Sequence, residues 1–253
     1  MGRWLYLGAA YLFIFLPVAV LVLFSFQGGT LPVPPFTGPS LQWYAKVMAD
    51  PSLTAALGRS LLVGIGSSLV ATVLAFLAAW GLARHRLPRS ALMRWVIVAP
   101  LTISYLVIGM GLLVTFTQMG LPKSLWAIGI GHVVINLPLA FTVIQSQLGA
   151  SQATLEQAAR DLGAGELQVV FWVTLPVLWP ALFAAFFLSL TLSWDEFVIA
   201  FLLGQFDATL PVEIWSMLRT GLNPLTNAAG SLVFLVSIIC VALAEIVLLR
   251  RRA

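Results

Sequence analysis

Residues 181–203 read ALFAAFFLSLTLSWDEFVIAFLL, a run that is apolar apart from a few hydroxyl groups and the adjacent carboxylates Asp195 and Glu196. A helix of about 20 residues, rising about 1.5 Å per residue, crosses the roughly 30 Å hydrocarbon core of a bilayer. The run therefore predicts a transmembrane helix. A carboxylate at the centre of such a helix costs about 2.5–3.5 kcal/mol, so two adjacent carboxylates need a physical reason to be there.

The rest of the chain has the same apolar character. Of its 253 residues, 60% are hydrophobic and 9% are charged, and the mean hydropathy is +1.02, whereas a soluble domain carries about 25% charged residues. The sequence therefore predicts an all-α, polytopic membrane protein with a single domain over residues 1–253 and six transmembrane helices. The predicted spans lie at about 5–26, 60–83, 93–117, 125–148, 181–203 and 229–249.

The positions of the basic residues predict the orientation, because cytoplasmic loops are enriched in Lys and Arg. Six spans place both termini on one side, and the nine basic residues on that side outnumber the four on the other. Both termini are therefore expected in the cytoplasm, with periplasmic loops at about 27–59 and 204–228. The net charge of +4 then reflects topology and anchoring in lipid head groups, and it does not indicate a nucleic-acid partner. The nine are Arg3, Arg84, Arg86, Arg89, Arg94, Arg160, Arg250, Arg251 and Arg252, and the four are Lys46, Arg59, Lys123 and Arg219.

Motifs for catalysis and for metal or cofactor binding are missing from the sequence. The single cysteine, Cys240, and the separated His85 and His132 give no disulfide framework and no metal-ligand spacing. We expect His132 to be a hydrogen-bonded packing residue. No Gly-x-Ser-x-Gly or His-Glu-x-x-His motif occurs, and no phosphate-binding loop of the form GxxxxGK[ST] occurs. We expect no enzymatic activity in this chain, so ATP hydrolysis would have to come from a partner.

The connection at about 149–176 is the most specific segment. Within it, residues 155–176 read LEQAARDLGAGELQVVFWVTLP. Leu155, Ala158, Ala159 and Leu162 follow the i, i+3, i+4, i+7 pattern of a short amphipathic helix. Gly163 can end that helix in the left-handed conformation, and a second helical turn follows it. Two short helices that present small side chains predict a knob that fits a groove on another protein.

This segment resembles the EAA loop of ABC importer permeases, in which Glu-Ala-Ala is followed at fixed spacing by Gly, Ile and Leu-Pro. Gln157 occupies the position of the motif's Glu, with Glu156 just before it, and Val173 occupies that of its Ile. The resemblance implies that this loop couples the permease to an ATPase. The residues assigned to that coupling are Glu156, Ala158, Ala159, Gly163, Leu175 and Pro176.

Resemblance to the spermidine and putrescine permeases extends over nearly the whole chain. It implies the type I ABC importer permease fold in a bacterial inner (cytoplasmic) membrane. It also implies a heterodimer with a second homologous permease, two ATPase subunits, and a periplasmic binding protein that delivers a polyamine or another cation. The alternatives are a related importer for another small solute, such as an amino acid derivative, an opine, a metal or an anion, and a secondary transporter. The stretches that carry the resemblance are 41–44, 58–64, 131–141, 193–200 and 210–224.

Three roles are compatible with Asp195 and Glu196. They could contact a cationic substrate, tie neighbouring helices together, or lie in a wet position without a specific contact. Ionisable residues inside a membrane are functional candidates by default, so we expect both to line the substrate path. On one continuous helix, adjacent side chains would point about 100° apart.

Other functional classes fit the sequence less well. An intramembrane aspartyl protease needs a second Asp on another span, which Asp195 does not have. A secondary transporter would not need the knob at 155–176 and often shows an internal repeat, and a channel would work without nucleotide.

Overall fold

The computed structural model describes residues 2–85, 88–221 and 223–249. Arg86 and the tail Arg250–Arg252, on which the predicted topology partly rests, lie outside these residues. The described chain is almost entirely helical and pairs Gln27 with Pro39 in an isolated antiparallel bridge. The helices are α1 (Gly2–Ser25), α2 (Gln42–Ala49), α3 (Pro51–Arg84), α4 (Ser90–Val98), α5 (Tyr105–Gln118), α6 (Leu125–Gln145), α7 (Ala150–Asp161), α8 (Glu166–Val169), α9 (Leu175–Trp194), α10 (Val198–Leu203), α11 (Leu210–Thr220) and α12 (Pro224–Leu249).

Five stretches of helix are long and apolar enough to cross a membrane, and a sixth is obtained if one bent pair counts as a single span. The predicted multi-pass, all-α architecture is therefore confirmed. The five stretches are Arg3–Ser25, Pro51–Arg84, Leu125–Gln145, Glu166–Trp194 and Pro224–Ile246, and the bent pair is Ser90–Thr102 with Tyr105–Gln118.

The third predicted span, 93–117, is not one helix. Its two parts bend by 108° at a 3₁₀ turn, Ala99–Thr102, that contains Pro100. Proline has no N–H to donate and disfavours a continued helix. Beyond the turn, the Ser104 side chain accepts a hydrogen bond from Leu106 N and caps α5.

The fifth predicted span, 181–203, is also interrupted. A π-helical turn, Val170–Thr174, joins α8 to α9, so the helical path begins well before residue 181 and stops at Trp194. The chain resumes as the short helix α10 at Val198. Asp195 and Glu196 therefore lie in a break between two helices, and the expectation that they share one continuous helix is wrong.

The chain divides into two compact units, one made of residues 1–58 and 209–236 and the other of residues 59–208 and 237–253. In the first unit, one side chain organises the Pro/Gly-rich coil after α1. Gln27 Nε2 donates to the carbonyls of Leu31, Val33 and Pro35, and Gln27 Oε1 accepts from Thr37 N. This coil is thus ordered without regular secondary structure.

In the second unit, α6 and α9 pack against each other and against the later part of α3. Small side chains at the contact let the helix backbones approach closely, as is common between membrane helices. The buried core consists of Ala75, Phe76, Ala79, Leu82, Ala140, Phe141, Ile144, Leu178 and Ala185.

Helix α10 also packs closely on its neighbours α5 and α6. A Cβ added at Gly131 would lie 2.5 Å from Ile199 Cγ2, and one at Gly109 would lie 2.7 Å from Leu202 Cδ1. Both separations are shorter than van der Waals contact, so the absence of a side chain at these glycines sets how near α10 can lie.

Gly131→Ala is therefore expected to lower the stability of the protein by about 1–3 kcal/mol, the usual cost of overpacking a filled contact. Gly129→Ala is the matched control, because it lies on the same helix and its added Cβ would meet nothing within 4 Å. The measurement is the unfolding temperature of each purified variant in detergent. Equal unfolding temperatures for the two variants would contradict the close packing of α10 on α6.

Candidate functional site

The break after Trp194 is stabilised by the side chain of Glu196. This residue is 5% exposed, and its carboxylate accepts hydrogen bonds from the backbone N–H groups of Val198 and Ile199 at 2.8 Å and of Ala200 at 3.2 Å. These amides form the first turn of α10 and have no partner within their own helix. A negative charge at a helix N-terminus is also favoured by the helix dipole. Glu196 therefore caps α10.

A chain of polar side chains continues from Glu196 across three helices. His132 Nε2 lies 3.4 Å from Glu196 Oε2, within ion-pair distance although not in hydrogen-bond geometry. His132 Nδ1 is 2.5 Å from Ser193 Oγ, and Ser193 Oγ is 3.1 Å from Ser67 Oγ. The expectation that His132 is a hydrogen-bonded packing residue is confirmed. In the described residues, no three His, Cys, Asp or Glu side chains are grouped as a metal site requires.

Asp195 is placed differently from its neighbour. Its side chain is exposed in the isolated chain, and the Ser237 hydroxyl of α12 donates to its carboxylate oxygens at 3.1 and 3.2 Å. Of the three roles considered for the pair, the contacts of Glu196 are those of a tie between helices. Asp195 keeps a carboxylate that a solute could reach.

The 149–176 connection has the predicted form of two short helices separated by a glycine turn. Gly163 follows α7 with a φ of +88°, a conformation that glycine adopts without steric cost. Leu175 and Pro176 begin α9, where a proline is tolerated because the first amides of a helix lack intrahelical acceptors.

Exposed apolar side chains cluster on this connection. Leu162 is 91% exposed and Leu167 is 74% exposed. Ala158 and Gly163 are also exposed, and Ala159 is partly buried. Leu162 lies outside the apolar stretches that can cross a membrane, and an exposed apolar surface in such a place is typical of a contact with a protein partner, which agrees with a knob that docks on another protein.

Glu156, in contrast, is not part of this exposed surface. It is 1% exposed, and Arg84 donates to it from Nε at 2.6 Å and from Nη2 at 3.2 Å. Thr174 Oγ1 donates to Glu156 Oε1 at 3.0 Å. Breaking a buried pair of this kind by removing one partner costs about 3–5 kcal/mol. The sequence did not indicate that Arg84 or Thr174 pairs with Glu156, because the two residues lie 72 and 18 positions away from it along the chain.

A second ion pair closes the connection on its exposed side. Arg160 Nε and Nη2 donate to the two carboxylate oxygens of Glu166 at 2.9 and 3.0 Å. The hydrogen bond with Glu166 raises the pKa of the Arg160 guanidinium above its ordinary value, so this cation remains charged. The pair links α7 to α8 across the glycine turn.

Comparison with known proteins identifies the family. Residues 71–253 match the family described as binding-protein-dependent transport system inner membrane component. The chain belongs to this family. It is the permease subunit of an ABC importer, a transport component rather than an enzyme.

Two similar proteins come from Escherichia coli. The permease is 34% identical over 229 residues to the putrescine transport system permease protein PotI, covering 87% of this chain and 81% of PotI. It is 28% identical over 243 residues to the spermidine/putrescine transport system permease protein PotC, covering 96% of this chain and 92% of PotC.

The fold of the permease also matches a solved structure. The crystal structure of a bacterial ABC transporter that imports the acidic polysaccharide alginate contains a chain that superposes with a TM-score of 0.69 at 18% identity, covering 98% of this chain and 94% of that chain. At this identity the likeness shows the shared fold alone, and it confirms the predicted permease fold.

Glu196→Gln is expected to destabilise the permease by about 1.5–3 kcal/mol, because the amides of α10 lose a charged acceptor. Asp195→Asn is the matched control, since Asp195 is exposed and its partner Ser237 can donate equally well to an amide oxygen. The unfolding temperatures in detergent should fall for Glu196→Gln and stay near the wild-type value for Asp195→Asn. The reverse order would show that Glu196 does not hold the break.

Proposed function

We propose that this permease and a second, homologous permease form the translocation path of an ATP-driven importer in the bacterial inner membrane, and that the solute is a polyamine or another cation. The observation that carries the proposal is the exposed carboxylate of Asp195 at a helix break in an otherwise apolar wall. Relatives described as putrescine and spermidine permeases support the choice of solute.

The attraction between Asp195 and an ammonium group has a suitable size. At an effective dielectric constant of about 20, opposite charges about 4 Å apart attract by roughly 4 kcal/mol. This energy offsets part of the cost of removing water from the solute, and it is small enough to let the solute leave. The Glu196 carboxylate is already occupied by hydrogen bonds from the backbone amides of α10. We therefore assign Asp195, and not Glu196, to the solute path.

The proposed topology follows from the basic residues. Both termini and the 149–176 connection lie in the cytoplasm, and the loops at 27–59 and 204–228 lie in the periplasm. A periplasmic binding protein delivers the solute to the periplasmic side, and two ATPase subunits act at the cytoplasmic side. Lipid covers the remaining apolar surface.

We propose the second permease because the apolar surface of α1 must be covered along its length, either by another protein or by lipid. In the isolated chain the apolar window of α1 has no buried residue, and Trp4, Leu5 and Phe13 are among its largely exposed side chains. A heterodimer would cover part of this surface.

Asp195→Asn is expected to reduce uptake of radiolabelled putrescine or spermidine by at least about tenfold, the equivalent of about 1.4 kcal/mol, while assembly with the partners stays intact. Uptake is measured in vesicles that contain the complete importer, loaded with ATP. Asp207→Asn, the same substitution in the 204–228 loop, controls for the loss of one charge. Normal uptake by Asp195→Asn, or a binding protein that holds an anion, would contradict the assignment.

Leu162→Glu is expected to reduce the amount of ATPase subunits that copurify with the permease by at least about tenfold, because it places a charge in an apolar contact. The permease itself should still insert in the membrane. Leu31→Glu is the control, since Leu31 is also exposed but lies in the 27–59 loop on the proposed periplasmic side. Undiminished ATPase binding by Leu162→Glu would place the docking surface elsewhere.

A further inference from the structure

Glu156 joins α7 to α3, a long helix that is remote from it in sequence, and to the turn that leads directly into α9. Its carboxylate binds Arg84 at the end of α3 and Thr174 in the π-helical turn just before α9. Apart from this, α7 packs mainly against the turn 170–174 and against α8, which follow it in the chain. The Glu156 carboxylate is therefore a polar link from α7 to α3.

The geometry of this link is rigid. Arg84 Nε and Nη2 each donate to a different oxygen of the same carboxylate, and a planar fork of this kind restricts rotation as well as distance. The side chains of Arg84 and Glu156 are 11% and 1% exposed, so water competes little for the hydrogen bonds. Such a pair can transmit a displacement in either direction.

The same two helices meet again beside the proposed solute path. Ser67 of α3 contacts Ser193 of α9, and Ser193 lies two residues before Asp195. At about 1.5 Å per residue, this second contact lies roughly 25 Å along α3 from Arg84 and roughly 30 Å along α9 from Thr174. Displacement of both helices at Glu156 therefore reaches the level of Asp195.

We propose that the Glu156–Arg84 pair transmits movement of the docked 149–176 connection to α3 and α9, and so couples ATP hydrolysis to solute movement. The proposal rests on the proposed function, in which this connection binds an ATPase. Glu156 is then a positioning residue and not a docking contact.

The test compares coupling with assembly in the reconstituted importer. Three quantities are measured for each variant, namely copurification of the ATPase subunits, ATP hydrolysis stimulated by the loaded binding protein, and solute imported per ATP hydrolysed. For Glu156→Gln we expect copurification and ATP hydrolysis to persist while import per ATP falls at least tenfold. Glu245→Gln is the matched control, because Glu245 is exposed near the end of α12, and its import per ATP should equal that of the wild type.

A double variant separates transmission from simple stability. Glu156→Gln leaves the Arg84 charge without its partner, whereas Glu156→Gln combined with Arg84→Gln removes both charges and permits an amide–amide hydrogen bond. A merely structural pair would recover assembly and coupling together in the double variant. We expect the double variant to assemble like the wild type and to remain uncoupled. Arg84→Lys, which keeps the charge but loses the fork, should retain an intermediate import per ATP.

The outcomes are distinct. Import per ATP at the wild-type level in Glu156→Gln or in the double variant would overturn the proposal. A double variant that fails to assemble would also overturn it, because the pair would then serve assembly. If the wild-type importer shows no ATP-dependent uptake, or binds no ATPase, the proposed function itself fails, and that result is recognised before any variant is compared.

Discussion

A backbone N–H group that is buried without an acceptor costs several kcal/mol, and the Glu196 carboxylate is the acceptor that lets a new helix begin after Trp194. With its first amides paired, α10 can pack closely on α5 and α6, where Gly109 and Gly131 leave room for it. His132 lies 3.4 Å from the same carboxylate and contacts Ser193 through its other ring nitrogen. The break in the fifth span and the position of α10 therefore depend on one buried carboxylate. The placement of Asp195 in that break follows from it.

Two adjacent carboxylates in an apolar stretch thus have different physical reasons to be there. In the folded protein, backbone amides of α10 take the place of the water that would otherwise solvate the Glu196 carboxylate. Burying this carboxylate would be unfavourable only without those amides. Asp195 keeps an accessible carboxylate, supported by the Ser237 hydroxyl. A carboxylate next to a capped helix is held at a fixed position. This arrangement suits recognition of a cation better than two equivalent acids would. Only the Asp195 carboxylate has to change its contacts when a solute passes.

The sequence predicted the helical membrane class and the glycine-ended helix at Gly163 because both depend on local composition and spacing. It did not predict the breaks near Pro100 and after Trp194, since a run of apolar residues is compatible with one span or with two shorter helices. Pro100 was a visible signal of a bend, but its size depends on tertiary packing. Partners distant in sequence were also missed. Glu156 and Arg84 are 72 residues apart, and nothing local to either shows that packing brings them together. Substrate contact by Asp195 and Glu196 remains a prediction.

Helix α9 runs between the two buried carboxylates, with Glu156 near its beginning and Glu196 just beyond its end. Near its beginning, Thr174 donates to Glu156. At its other end, Ser193 is bound by His132 and Ser67. A helix of 20 residues is about 30 Å long, and its closely packed interior transmits strain instead of absorbing it. A helix held by side-chain contacts at both ends can carry a displacement of the 149–176 connection to the break that presents Asp195, as the proposed coupling requires.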